Sequence, residues 1–157
     1  MKTFIISSLL TLILLAALPA AGQSSKIYPV KFLLFNRTDS LLKALKTAKH
    51  DTTKVNLLNA LCWQLRNSYP DSAKAYCLKA LKLSKKVKFK RGETHSLNNL
   101  GVVHWAQGDY PLALKHYQES LILKEALGDK AGIARALNNI GELYKDQALK
   151  LPRSQGY

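Results

Sequence analysis

The sequence predicts an all-α fold built from antiparallel helix pairs stacked in series. Three observations carry that prediction. Apolar and small residues recur at helical spacing on both sides of Gly108-Asp109: Leu97, Leu100 and Gly101 before the turn, and Leu112, Ala113, Tyr117, Ser120 and Leu121 after it. The pentapeptide LNNLG at residues 97–101 returns as LNNIG at 137–141, a shift of 40 residues, and a self-match at fixed period marks a stack of repeated units. Gly101 and Ala113, one on each partner, are small enough to let two helices approach closely.

In chain order, residues 1–22 read as a secretory signal peptide. Lys2 is its positive start, residues 4–18 are an unbroken run of apolar and small hydroxyl residues, and Ala20-Ala21-Gly22 supplies the small residues of a cleavage site. The run of 15 is short for a bilayer span, which takes about 20 residues. The expected localisation is therefore exported, periplasmic or secreted, with an uncleaved membrane anchor as the alternative. Residues 23–37 form a leader or linker. The apolar run 30–35 fits a strand, an extended linker or a packed leader, and periodicity does not choose among them over so few residues.

A helix is expected from Thr38 or Asp39, with Leu41, Leu42, Leu45 and Ala48 on one face. The next, over 53–67, carries Val55, Leu58, Leu61, Cys62 and Leu65. Its partner, over 70–86, opens on Pro70, which suits a first turn because no N–H is needed there. Ala73, Tyr76, Cys77, Ala80 and Leu81 line its packing face. Lys88 stands where the next copy has Gly128. A lysine is strained in a left-handed cap, so this loop is expected to differ from its counterpart. The central pair follows, and a last helix spans 131–147. The repeat domain is thus 38–147, and 148–157 is an irregular tail. Leu137, Ile140 and Tyr144 on that last helix have no matching second helix. Either the chain is a fragment or truncated relative of a longer repeat protein, or Leu149 and Leu151 fold back as a cap.

These residues resemble the tetratricopeptide repeat family, in a variant with a period of about 40 rather than about 34 residues. The resemblance rests on Leu97, Leu100, Gly101, Gly108, Asp109, Tyr110, Ala113 and Tyr117, then on Leu137, Ile140, Gly141 and Tyr144. His104 departs from it where an aromatic is usual, and Ser120 where Ala is usual. The resemblance implies a right-handed solenoid whose first helices line a concave groove. The implied peptide-binding residues are Asn59, Trp63 and Arg66, then Asn98 and Trp105, then Arg135, Asn138 and Lys145. Asn59, Asn98 and Asn138 fall at one position of three successive helices. A row of amides can hold an extended peptide by its backbone. The tryptophans would be flat anchors, and the cations would meet acidic side chains. Asn99 and Asn139, one position on, are better placed to bond neighbouring helix backbones. A signal peptide, a DSLLKAL leader and LNNIG repeats are also similar to the exported region of bacterial sensor histidine kinases, which implies a role in signal transduction.

The balance of charge is unusual. Against 10 Asp+Glu stand 24 Lys+Arg, a net charge of +14 over 157 residues, which favours anionic partners. The expected partner is a protein or peptide segment of acidic character, with no nucleic acid. The alternative is a basic surface of Lys74, Lys79, Lys82, Lys85 and Lys86 that binds an anionic polymer: nucleic acid, polysaccharide or anionic lipid. Cys62 and Cys77, one on each helix of the first pair, are either a disulfide in an oxidising compartment or two small buried apolar residues. No catalytic motif, cofactor loop or metal-ligand spacing is present: the four histidines form no HExxH, and no glycine-rich phosphate loop occurs. His104 and His116 on facing helices are read as packing or surface residues. The expectation is a non-catalytic interaction module.

Overall fold

A computed structural model describes residues 27–150. The signal peptide expected over 1–22 and Leu151 of the tail lie outside that range. The chain divides into two units, Met1–Phe35 and Asn36–Tyr157, and the second holds all the helix pairs. Among the described residues every element is helical: α1 Ile27–Thr47, α2 Asp51–Leu65, α3 Pro70–Lys86, α4 Lys90–Ala106, α5 Tyr110–Ala126 and α6 Lys130–Lys150. Among the described residues no helix is long and apolar enough to cross a membrane.

The ends of the array differ from expectation. Helix α1 begins at Ile27, not at Thr38 or Asp39, so the boundary drawn at 37 falls inside a helix. Pro29 lies in its first turn, where a missing N–H breaks no ladder bond. None of the residues from Arg37 to Thr47 is buried. Helix α6 reaches Lys150, three residues past the expected end. Leu149 is 68% exposed and caps nothing.

Each helix packs on its chain neighbour from α2 to α6, and α4 also touches α2. Two apolar clusters result. Cys62, Ala73, Cys77, Leu100 and Val103 fill the first, and Ala113, Tyr117 and Leu143 the second, with Val102, Trp105 and Ile140 against it. Gly101 makes the central pair possible: a Cβ there would stand 2.5 Å from the Tyr117 ring. The close approach is thus between Gly101 and Tyr117, one turn along α5 from Ala113. Cys62 and Cys77 are bonded, with their Cα atoms 5.3 Å apart.

Three of the turns share one design. Lys88, Gly108 and Gly128 have φ of 55°, 79° and 66°. In each turn the following residue donates its N–H back to the carbonyl five residues earlier: Phe89 to Ser84 at 2.8 Å, Asp109 to His104 at 2.9 Å, Asp129 to Lys124 at 3.0 Å. This is the Schellman closure, which satisfies carbonyls that the helix end leaves open. The loop at Lys88 therefore does not differ from its counterparts. The lysine takes the left-handed position because the closing bonds at Ser84 and Lys85 require it. Asp109 and Asp129 then cap the next helices, accepting from Leu112 N at 3.2 Å and Gly132 N at 2.9 Å.

Candidate peptide-binding groove

An open groove of about 590 Å³ runs between α4 and α6, with Trp63 of α2 also in its lining. The turns at Gly108 and Gly128 carry the chain from α4 through α5 to α6, and the bonds Trp105–Asp146 and Asn139–Asn98 hold α6 beside α4. Four of the expected residues line the groove, Trp63, Asn98, Arg135 and Asn138, together with His95 and Val102. Trp63 is 47% exposed, with Arg66 stacked over one face of its ring.

The other four do not line it. Asn59 is buried: its Nδ2 donates to Gly92 O at 3.4 Å, and its backbone carbonyl accepts from Asn99 Nδ2 at 3.3 Å. It joins α2 to α4, so the expected row of three asparagines is not one exposed row. Arg66 lies 3.7 Å over the Trp63 ring and donates to the Trp63 carbonyl, which spends its guanidinium on the C-terminal end of α2. Trp105 donates Nε1 to Asp146 Oδ2 at 3.0 Å and packs on the second cluster. Lys145 pairs with Glu142 at 3.5 Å on the surface.

Lys124 is a lining residue that helical spacing did not point to, as are Asp129 and Ala134. Lys124 belongs to α5, not to a first helix, yet it lines the groove at 5% exposure. A signal existed. Lys124 falls 40 residues after Ser84, which is fully buried in the preceding copy, so the position is an interior one. Its ammonium donates to Asn98 Oδ1 at 3.5 Å. Burial, then the nearby Arg135, lowers its pKa, while Asp129 opposes them. Burial also lowers His95, with Lys124 and Arg135 adding to it.

Asn139 Nδ2 donates to the same Asn98 Oδ1 at 3.1 Å. Asn99 bonds a neighbouring helix backbone as expected, whereas Asn139 bonds the Asn98 side chain, and both line the groove as well. With its oxygen engaged twice, Asn98 offers the groove its N–H donors. Lys124, Arg135 and Asn138 offer more, against the single carboxylate of Asp129. A donor-rich, cationic hollow accepts carbonyl and carboxylate oxygens.

Across the central pair, His104 and His116 stack with ring centroids 5.4 Å apart. Their Nδ1 atoms are buried without a hydrogen-bond partner. Asp109 and Glu119 carboxylates stand 3.7 and 3.8 Å away. Burial is the main cause that lowers both pKa values. The pair belongs to the packing of α4 on α5.

The sequence model of the family described as Tetratricopeptide repeat matches residues 70–121 and 92–150. No curated protein matches the chain.

Proposed function

The chain belongs to the tetratricopeptide repeat family, a family that mediates protein–protein interaction, and on that basis we propose that its groove binds an acidic peptide segment of a partner protein without catalysis. Lys124 carries the reading. A buried ammonium held by one long bond to an amide gains most from a carboxylate, because a charge-assisted bond in a dry site replaces lost hydration. Arg135 would take a second oxygen, the Asn98 and Asn138 amides the peptide carbonyls, and Trp63 an apolar side chain. Export is part of the proposal, with a role in sensing. The bonded pair Cys62–Cys77 supports an oxidising compartment.

Trp63 supplies the signal for the test. Short peptides of mixed sequence, with and without Asp and Glu, are titrated while indole emission is followed. Acidic peptides should bind and neutral ones should not. Lys124→Met should weaken binding roughly 10- to 100-fold, as expected for losing a hydrogen bond to a charged group. Equal binding by wild type and Lys124→Met would overturn the reading.

A second reading has its own observation. No acid stands between Asp71 and Glu93, and Lys79, Lys82, Lys85 and Lys86 are exposed on α3. This face suits an anionic polymer. Such binding would weaken steeply with salt and ignore Lys124→Met, which separates it from the groove.

A further inference from the structure

Helix α6 presents the face that α4 uses to hold α5, but presents it uncovered. At matching positions Leu97 is 2% exposed and Leu137 54%, while His104 is 8% exposed and Tyr144 50%. A Cβ on Gly101 would stand 2.5 Å from the Tyr117 ring, whereas one on Gly141 would meet nothing within 4 Å. Among the described residues, α6 therefore lacks the second helix that completes a pair. None of Leu137, Gly141 and Tyr144 lines the groove.

The chemistry of a helix that fits this face is written in α3 and α5. Each buries a stripe of small or flat residues against its first helix: Ala73, Cys77 and Ala80 in α3, and Ala113, Tyr117 and Ser120 in α5. Helix α1 holds part of such a stripe. LKALK at residues 42–46 repeats LKALK at 78–82, which places Leu41 on Cys77 and Ala44 on Ala80. Cys77 and Ala80 are fully buried, but Leu41 is only half-buried and Ala44 is exposed. Arg37 falls at the place of Ala73, so the match covers the later turns of α1 rather than all of it.

Among the described residues there is thus a first-type helix without a second and a second-type helix without a first. We propose that α1 of a second copy docks on the open face of α6, with Leu41 over Gly141 as Tyr117 lies over Gly101. The two patches differ, so the contact is head-to-tail and continues the helix stack from copy to copy. Leucine suits the space, being intermediate between the cysteine and the tyrosine that fill this place in the two complete pairs.

Sedimentation velocity of the full chain over a wide concentration range tests this. The average mass should rise with concentration beyond two chains. Gly141→Lys and Ala44→Lys put a charge into each patch at positions open enough to leave the fold intact. Each variant alone should stay at monomer mass. An equal mixture should form a species of two chains and nothing larger, because one intact α6 face then meets one intact α1. A wild-type chain that stays monomeric overturns the proposal. So does an Ala44→Lys variant that still associates, which would indicate α6 pairing with α6, and so does a mixture that stays monomeric.

Discussion

Lys88 shows how far one backbone position constrains its side chain. It holds φ 55° at a site where the two later turns have glycine. A Cβ in the left-handed region costs about 1–2 kcal/mol, and glycine returns about 0.4–1 kcal/mol of that through the freer unfolded chain. Lys88→Gly should therefore stabilise the protein by about 0.5–1 kcal/mol, read as a higher urea midpoint at unchanged slope. Gly101 and Gly141 make a second contrast. Gly101→Ala forces a methyl into the Tyr117 ring and should cost about 1–3 kcal/mol. Gly141→Ala meets open space and should gain up to about 1 kcal/mol of helix propensity. Equal effects at the two glycines would mean that the Tyr117 contact is absent. Acid sensitivity belongs here too. Burial holds His104 and His116 below the ordinary value of 6.5. The unfolded chain then binds protons first as pH falls, so stability is full above 6.5 and declines below it toward the folded values. Asp109 and Glu119 counter the shift, and Lys74 and Lys115 add to it. His104→Phe should flatten this decline in melts taken at successive pH values. Trp63, Asn98, Arg135 and Asn138 were legible as groove residues through the resemblance, which implies that first helices line a groove, with helical spacing choosing the side. Asn59 was misplaced because the Gly92 carbonyl, on another helix, decides where its amide points. Lys124 was missed because a lysine in a sequence reads as solvated.

At the scale of the element, helix identity was legible and helix ends were less so. The bounds of α3 follow from Pro70 at one side and the cationic exit at the other. The start of α1 did not follow, because Pro29 punctuates a sequence whether it breaks a helix or opens one. The pairing of the cysteines was open for a related reason: helical spacing puts Cys62 and Cys77 on facing sides but gives no distance. Their bond closes a loop with a sequence separation of 15 inside the pair α2–α3. A loop of about 15 residues restricts the unfolded chain by about 3 kcal/mol. Reduction should thus lower stability by about that amount, measured as urea unfolding with and without reductant. Because both cysteines are fully buried, the folded protein should reduce slowly under native conditions and quickly in denaturant. Fast native reduction would place the bond outside the core. Cys62→Ala with Cys77→Ala gives the matching control, since it removes the link while leaving two small apolar residues.

On the scale of the whole molecule, stability in a stacked array is a sum of local units and of contacts between neighbours. The repeat of LNNLG made that architecture legible, but its two ends were not, since a period says nothing about where the last neighbour stands. Here the central helices α4 and α5 have packed neighbours on both sides, whereas α6 packs on α5 and bonds to α4 on one side only, and α1 buries none of the residues from Arg37 to Thr47. Leu137 and Tyr144, about half exposed, give up part of the roughly 1.5–3 kcal/mol that full burial of such side chains provides. Opening should therefore begin at the ends and cost less there than in the middle. Native-state hydrogen exchange reads this directly, because each amide reports the free energy of the smallest opening that exposes it. In dilute protein the slowest amides should lie in α4 and α5, near Leu100 and Tyr117, and should exchange only through global unfolding. Amides of α1 and of the last turns of α6 should exchange at least tenfold faster through local opening. Raising the protein concentration should slow exchange in α1 and α6 together and leave α4 and α5 unchanged if the two end faces meet in trans. Uniform protection from α1 to α6 in dilute protein would contradict the nearest-neighbour account, because it would require the ends to be held as firmly as the centre.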